Sequence, residues 1–228
     1  MADRDEQTKA QFRNPNGDEG RKVLESMNDH HVPLWEFCLS KLPRSMDGAV
    51  LDVGCGGGGF LRRLSDRYPF AMLFGVDISR DALEMTASVN SETYESGGLE
   101  LHEASVESLP FQEGSFDMVT AMETYFFWPD FGKGVAEISR VLSPGGVLAI
   151  GSEIRYGDGD DDRVDSMCEE YGMRILRDDE ILAVLDSNGI DAEAIPGEHG
   201  VLYRGVKRFR FRTMLGVSRA PSFTSPTG

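Results

Sequence analysis

The 228-residue sequence predicts an α/β fold in which a mostly parallel sheet is covered by helices on both faces. Between residues 49 and 152, short apolar runs of strand length alternate with amphipathic stretches of helix length. A glycine run, Gly54-Cys-Gly-Gly-Gly-Gly59, stands where the first apolar run gives way to a helix. The first observation sets the layers, and the second places a ligand loop at a strand's carboxyl end.

Residues 1–18 are polar and contain Asn14-Pro-Asn-Gly17, the composition of a flexible arm. Val23, Leu24, Met27, Leu34, Phe37, Cys38 and Leu42 then recur at helical intervals, and Pro33 divides them into two helices. Together they form an expected helical lid over 19–46. The core, 47–208, is read as strand Ala49–Val53, helix Phe60–Arg67, strand Ala71–Val76, helix Arg80–Val89, strands Leu99–Glu103 and Phe116–Ala121, helix Phe131–Leu142 and strand Val147–Ser152. Gly157-Asp-Gly-Asp-Asp-Asp-Arg163 has the acidity of a calcium loop but lacks its closing glutamate, and reads as a solvated connection. Helices Val164–Tyr171 and Asp178–Leu185 and strands Ile190–Ile195 and Val201–Lys207 complete the core. The tail, 209–228, is rich in Pro and Ser from Ala220 and is expected to be disordered.

A formal net charge of −16 argues against a protein that holds nucleic acid or an anionic membrane, since both tasks collect Lys and Arg. Cys38, Cys55 and Cys168 are widely separated and form no CxxC pair, so no metal site and no disulfide framework is expected. The amino terminus has no apolar signal segment, and no stretch reaches the length of a membrane span. A soluble, cytoplasmic monomer or homodimer acting on a small molecule is the expectation.

Glycines at 54 and 56 allow positive φ and leave no Cβ between the backbone and a bound molecule. Gly54-x-Gly56-x-x-Gly59, with Asp77 downstream, also fits a dinucleotide fingerprint, so an NAD-dependent oxidoreductase is the alternative. Asp52 separates the two readings. Beside a pyrophosphate its charge would be repelled by about 4 kcal/mol at about 4 Å and an effective dielectric near 20, whereas a cationic ligand suits it.

Leu51-Asp-Val-Gly-Cys-Gly-Gly-Gly58 resembles the first motif of the class I S-adenosylmethionine (SAM)-dependent methyltransferases. Gly75-Val-Asp-Ile-Ser79, Phe116-Asp-Met-Val-Thr-Ala121 and Val141-Leu-Ser-Pro-Gly-Gly-Val-Leu-Ala-Ile150 follow in that family's order. The resemblance implies a three-layer Rossmann-like fold whose seven-stranded sheet is mostly parallel with an antiparallel last strand. It also implies SAM as cofactor, S-adenosylhomocysteine (SAH) as product, and a small-molecule acceptor with an O, N or C nucleophile.

By the same resemblance Gly54, Gly56 and Gly57 let the backbone approach the methionine and ribose parts, Cys55 belongs to the same cofactor-binding loop, and Asp52 holds the ammonium end directly or through water. Asp77 takes the ribose hydroxyls, Ile78 covers adenine, and Ala121 lies at the cofactor end of the fourth strand. Ser105 and Val106 stand where the family reads the adenine amine with an acid and an apolar residue, which is a departure. In the aromatic segment Met122–Pro129, Glu123 is the first candidate for a polar group at the reacting centre and Tyr125 the next. Among Arg21, Asn28, His30, His31 and Trp35 of the lid, His31 is the preferred general base. A SAM-binding regulator without turnover is the remaining reading.

Overall fold

In the computed structural model, which describes residues 6–209, the chain forms α1 (Glu6–Arg13), α2 (Gly17–His30), α3 (Val32–Lys41), β1 (Ala49–Val53), α4 (Gly59–Arg67), β2 (Met72–Asp77), α5 (Arg80–Val89) and α6 (Ser91–Glu95). There follow β3 (Leu99–Glu103), β4 (Phe116–Met122), α7 (Phe131–Val141), β5 (Leu142–Ser152), α8 (Asp161–Tyr171), α9 (Asp178–Ser187), β6 (Ile190–Gly197) and β7 (Gly200–Lys207). The strands make one sheet in the order β3-β2-β1-β4-β5-β7-β6. The first five are parallel, while β7 runs antiparallel to both β5 and β6. This is the Rossmann-like architecture expected from the sequence. Chain order reverses across the sheet between β1 and β4, and ligands of such sheets bind beyond the carboxyl ends of those strands.

Both faces are buried, which explains the continuous apolar strands. Leu51, Val53, Val119, Leu148 and Ile150 point to the side covered by α7 and α9, where Ile138, Ile181 and Leu185 pack. Val50, Met118 and Ala149, one residue out of phase, meet Leu34 and Cys38 of α3 and Leu61 and Leu64 of α4. The period-two alternation of a strand thus assigns each core residue to one of two layers.

Local chemistry sets several boundaries. Ser79 caps α5 by accepting the Ala82 amide at 3.1 Å, and Asp130 caps α7 through Lys133 at 3.0 Å. Pro33 lies in the first turn of α3, where its missing N–H costs nothing, so α2 and α3 separate at His31. Gly200 opens β7 with φ +128, and a Cβ there would stand 2.2 Å from the Ser152 carbonyl oxygen and 2.8 Å from Glu153 Cα.

The amino-terminal segment differs from the arm read in the sequence. Residues 6–13 are helical, the Phe12 ring meets Tyr171 edge-on at 5.4 Å, and the Pro15 carbonyl accepts the Ser79 hydroxyl. These anchors are distant in sequence, so local polarity gives no sign of them. The tail expectation falls almost wholly on 210–228, outside the described residues. Among the described residues no helix is long and apolar enough to cross a membrane.

Candidate functional site

Asp52 is the penultimate residue of β1, β2 ends in Asp77 and β4 in Met122, with Glu123 directly after it; these ends border one cleft. The glycine loop crosses it, its Gly54 and Cys55 amides donating to the Val76 carbonyl at 2.7 and 3.1 Å. Asp77 organises this turn, because one carboxylate oxygen accepts the Gly56 amide and the other the Ser79 amide, both at 2.9 Å. Burial raises the Asp77 pKa above its ordinary value, against the opposing pull of these amides.

Two glycines here have different tasks. Gly54 (φ +70) lies against Thr124, whose Oγ1 would be 2.3 Å from a Cβ. At Gly56 (φ +53) a Cβ would meet nothing nearer than Leu24 Cδ2 at 3.7 Å, so it would project into open cleft.

Asp52 is buried and pairs in register with Thr120, whose hydroxyl donates to it at 2.6 Å. Burial first, and then the charge of Asp77, push its pKa from 3.8 to about 7, with the Thr120 bond opposing. Asp52 therefore binds its proton more tightly folded than unfolded. Its contribution to the stability of the ligand-free protein is complete below 3.8 and is lost as pH rises through about 7. Asp52→Asn cannot ionise, so its thermal midpoint relative to the parent is expected to rise as pH climbs from 3.8 to about 7 and to level off above that. A gap that stays constant with pH would remove the charge of Asp52 as a cost.

The lid closes one side of the cleft. Asn28 grips the loop twice, donating to the Gly57 carbonyl at 3.0 Å and accepting the Gly59 amide at 3.2 Å. Phe12, Arg13 and Pro15 also line the cleft, roles that the polar composition of their segment concealed.

A second cavity of about 420 Å³ adjoins it and shares Phe12, Met27, His31, Glu123 and Phe127 with the cleft. Its walls are mainly apolar, among them Val23, Phe126, Ile154, Met167 and Met173. Glu123 at the junction is the single non-glycine with positive φ among the described residues, at +56, a strained conformation of the kind that clusters at functional sites. Its Oε1 accepts the Glu153 amide at 2.6 Å. Burial pushes the Glu123 pKa to about 7, with the charge of Glu153 adding and that of His31 opposing. His31 Nδ1 lies 3.0 Å from Glu153 Oε1. Burial draws the His31 pKa down, but the bond to Glu153 and the charges of Glu123 and Glu153 outweigh it and raise it.

The structure gathers most of the residues singled out in the sequence. Asp52, Gly54, Cys55, Gly56, Asp77, Ile78, Ser105, Val106, Glu123 and His31 all line the cleft. Ile78 is 48% exposed, so an apolar surface is left free at the cleft edge. Two residues are corrections. Tyr125 lines neither cavity: it is buried in the core, its ring centroid 5.4 Å from Phe126 and 5.6 Å from Phe131. Ala121 is fully buried on the sheet face covered by α7, because alternation along β4 turns it away from the cleft that Met122 lines. Glu153 was missed, although its place just past the carboxyl end of β5 is a signal of the fold class.

Residues 51–150 match the family model described as a methyltransferase domain. An uncharacterized methyltransferase of Bacillus subtilis, YdaC, is 27% identical over 64% of this chain and 76% of its own length. The phthiotriol/phenolphthiotriol dimycocerosates methyltransferase of Mycobacterium leprae is 28% identical over 83% of this chain and 68% of its own length. The match spans only 32% to 58% of the length of the other curated relatives. A Haloferax volcanii protein solved with the Trm112 methyltransferase activator superposes with a TM-score of 0.74 at 20% identity, covering 90% of this chain and 99% of its own, a likeness of fold.

Proposed function

Since the chain belongs to the class I SAM-dependent methyltransferases, we propose that it binds SAM in the glycine-loop cleft and methylates a largely apolar small molecule held in the adjoining cavity. The observation that carries this reading is the pair of cavities meeting at Met27, His31, Glu123 and Phe127, one suited to the donor and the other to an acceptor. A cavity of about 420 Å³ lies within the usual range for small-molecule sites.

The residues present fit SAM. The space before Gly56 is open to a ligand, and each Asp77 oxygen that accepts a loop amide keeps a second lone pair for a ribose hydroxyl. Ile78 and Val106 offer apolar surface for adenine, with Ser105 as a hydrogen-bonding neighbour. Asp52 offers a carboxylate to a cation. When bound, SAM supplies a methyl group already activated by positive sulfur.

The protein's remaining work is alignment and exclusion of water. Holding two reactants in line contributes about 7 to 11 kcal/mol to lowering such a barrier. Phe127 and Met27 keep the junction apolar, while Glu123 and His31 are the side chains placed to hydrogen-bond the acceptor's polar atom. The Mycobacterium leprae relative, named for a triol-bearing acceptor, supports a search among hydroxylated apolar molecules.

Equilibrium titration with SAH and NADH tests the donor, and labelled SAM with an extract of apolar metabolites tests the transfer. SAH is expected to bind in preference to NADH, with label appearing in a small product. Preference for NADH would overturn the reading, and tight SAH binding with no transfer would turn it into a regulator.

A further inference from the structure

We propose that His30, His31 and Glu153 form a binding site for a divalent transition-metal ion of the zinc and cobalt class at the mouth of the acceptor cavity. His30 ends α2, His31 links it to α3, and Glu153 follows β5, so the fold joins two adjacent imidazoles to a carboxylate far along the chain. His31 Nδ1 lies 3.0 Å from one Glu153 oxygen and His30 Nε2 lies 3.3 Å from the other. One donor atom from each residue falls within 4.8 Å of the others. Metal bonds of about 2.0 to 2.2 Å place neighbouring ligand atoms about 3 to 3.5 Å apart, so small side-chain adjustments bring all three onto one ion.

Charge and surroundings favour a cation as well. Glu123 stands behind Glu153, accepting its amide at 2.6 Å, so two acidic side chains face the two imidazoles, with His31 and Glu153 mostly buried and His30 at the exposed mouth. Two nitrogens and a carboxylate are the donor set of zinc, cobalt, manganese or iron rather than of calcium or magnesium, which favour oxygen alone. Three protein ligands leave a coordination position, as catalytic rather than structural sites do. All three residues line the cavity, so that position is open to an acceptor oxygen. This last role rests on the methyl-transfer reading, whereas ion binding itself does not.

The test is titration of the full chain, stripped with chelator, with Co²⁺ followed by visible absorption. One Co²⁺ per chain with the intense bands of four-coordination is expected, displaced by Zn²⁺ and not by excess Mg²⁺. His30→Ala and Glu153→Gln should each weaken Co²⁺ binding by about tenfold or more, and Glu123→Gln, which spares all three ligands, by about tenfold. SAH titration of the same variants reports separately on the cofactor cleft, which neither His30 nor Glu153 lines. Co²⁺ binding that lacks those bands, or that is equal in parent and variants, would assign the ion to the acidic surface and overturn the site. Retained SAH binding would then leave the methyl-transfer reading standing.

Discussion

Asp77→Ala is expected to weaken SAH and SAM binding by at least about tenfold. A hydrogen bond to a charged acceptor is worth about 1.5 to 3 kcal/mol, and about 1.4 kcal/mol corresponds to tenfold in affinity. The alanine removes both carboxylate oxygens from the cleft, and with them the partners of the Gly56 and Ser79 amides. The loop then loses one of its ties to β2, the bonds to the Val76 carbonyl remaining, as well as the carboxylate proposed for the ribose, so the tenfold figure is a lower bound. Calorimetric titration measures the change, with near-ultraviolet circular dichroism to establish that the core is intact. A folded variant with an unaltered dissociation constant would remove Asp77 from the cofactor's partners.

Valine at position 54 and alanine at position 56 are expected to damage different properties. Gly54→Val forces a β-branched residue to φ +70 and drives its Cβ into the Thr124 hydroxyl, 2.3 Å away. Left-handed strain of about 1 to 2 kcal/mol and overpacking of about 1 to 3 kcal/mol sum to a stability loss of about 2 to 5 kcal/mol. Gly56→Ala meets no protein atom within 3.4 Å, so its stability cost is the strain alone, about 1 to 2 kcal/mol. Its methyl group instead occupies the cleft, and SAH affinity should fall at least about tenfold, the equivalent of about 1.4 kcal/mol. Chemical denaturation and SAH titration on both variants decide the matter. Equal losses of stability, or undiminished SAH binding by Gly56→Ala, would mean that the loop merely joins a strand to a helix.

How much was readable in the sequence depended on how local the determinant was. Arg80–Val89 is bounded as expected because Ser79 caps it from the adjacent residue. The glycine loop and the acids at 52 and 77 were legible for the same reason, since strand, turn and helix lie within one short segment. Ser91–Glu95 was overlooked, being a single short helix with no buried residue and hence no periodicity to reveal it. Tyr125 and Ala121 were misplaced because an apolar run tells that a residue is inside but not which face of the sheet it meets. The His30, His31 and Glu153 cluster joins residues 122 positions apart, and α1 is anchored through Tyr171; such pairings arise only when the chain folds back.

Gly200 gives the antiparallel end of the sheet an influence beyond its own hairpin. Its bare backbone sits against Ser152 and Glu153, so any side chain added at this tip would shove the β5 terminus outward and carry the Glu153 carboxylate with it. A tag or insertion engineered at that bend would act as a wedge beneath the second cavity, although the bend itself lines neither cavity.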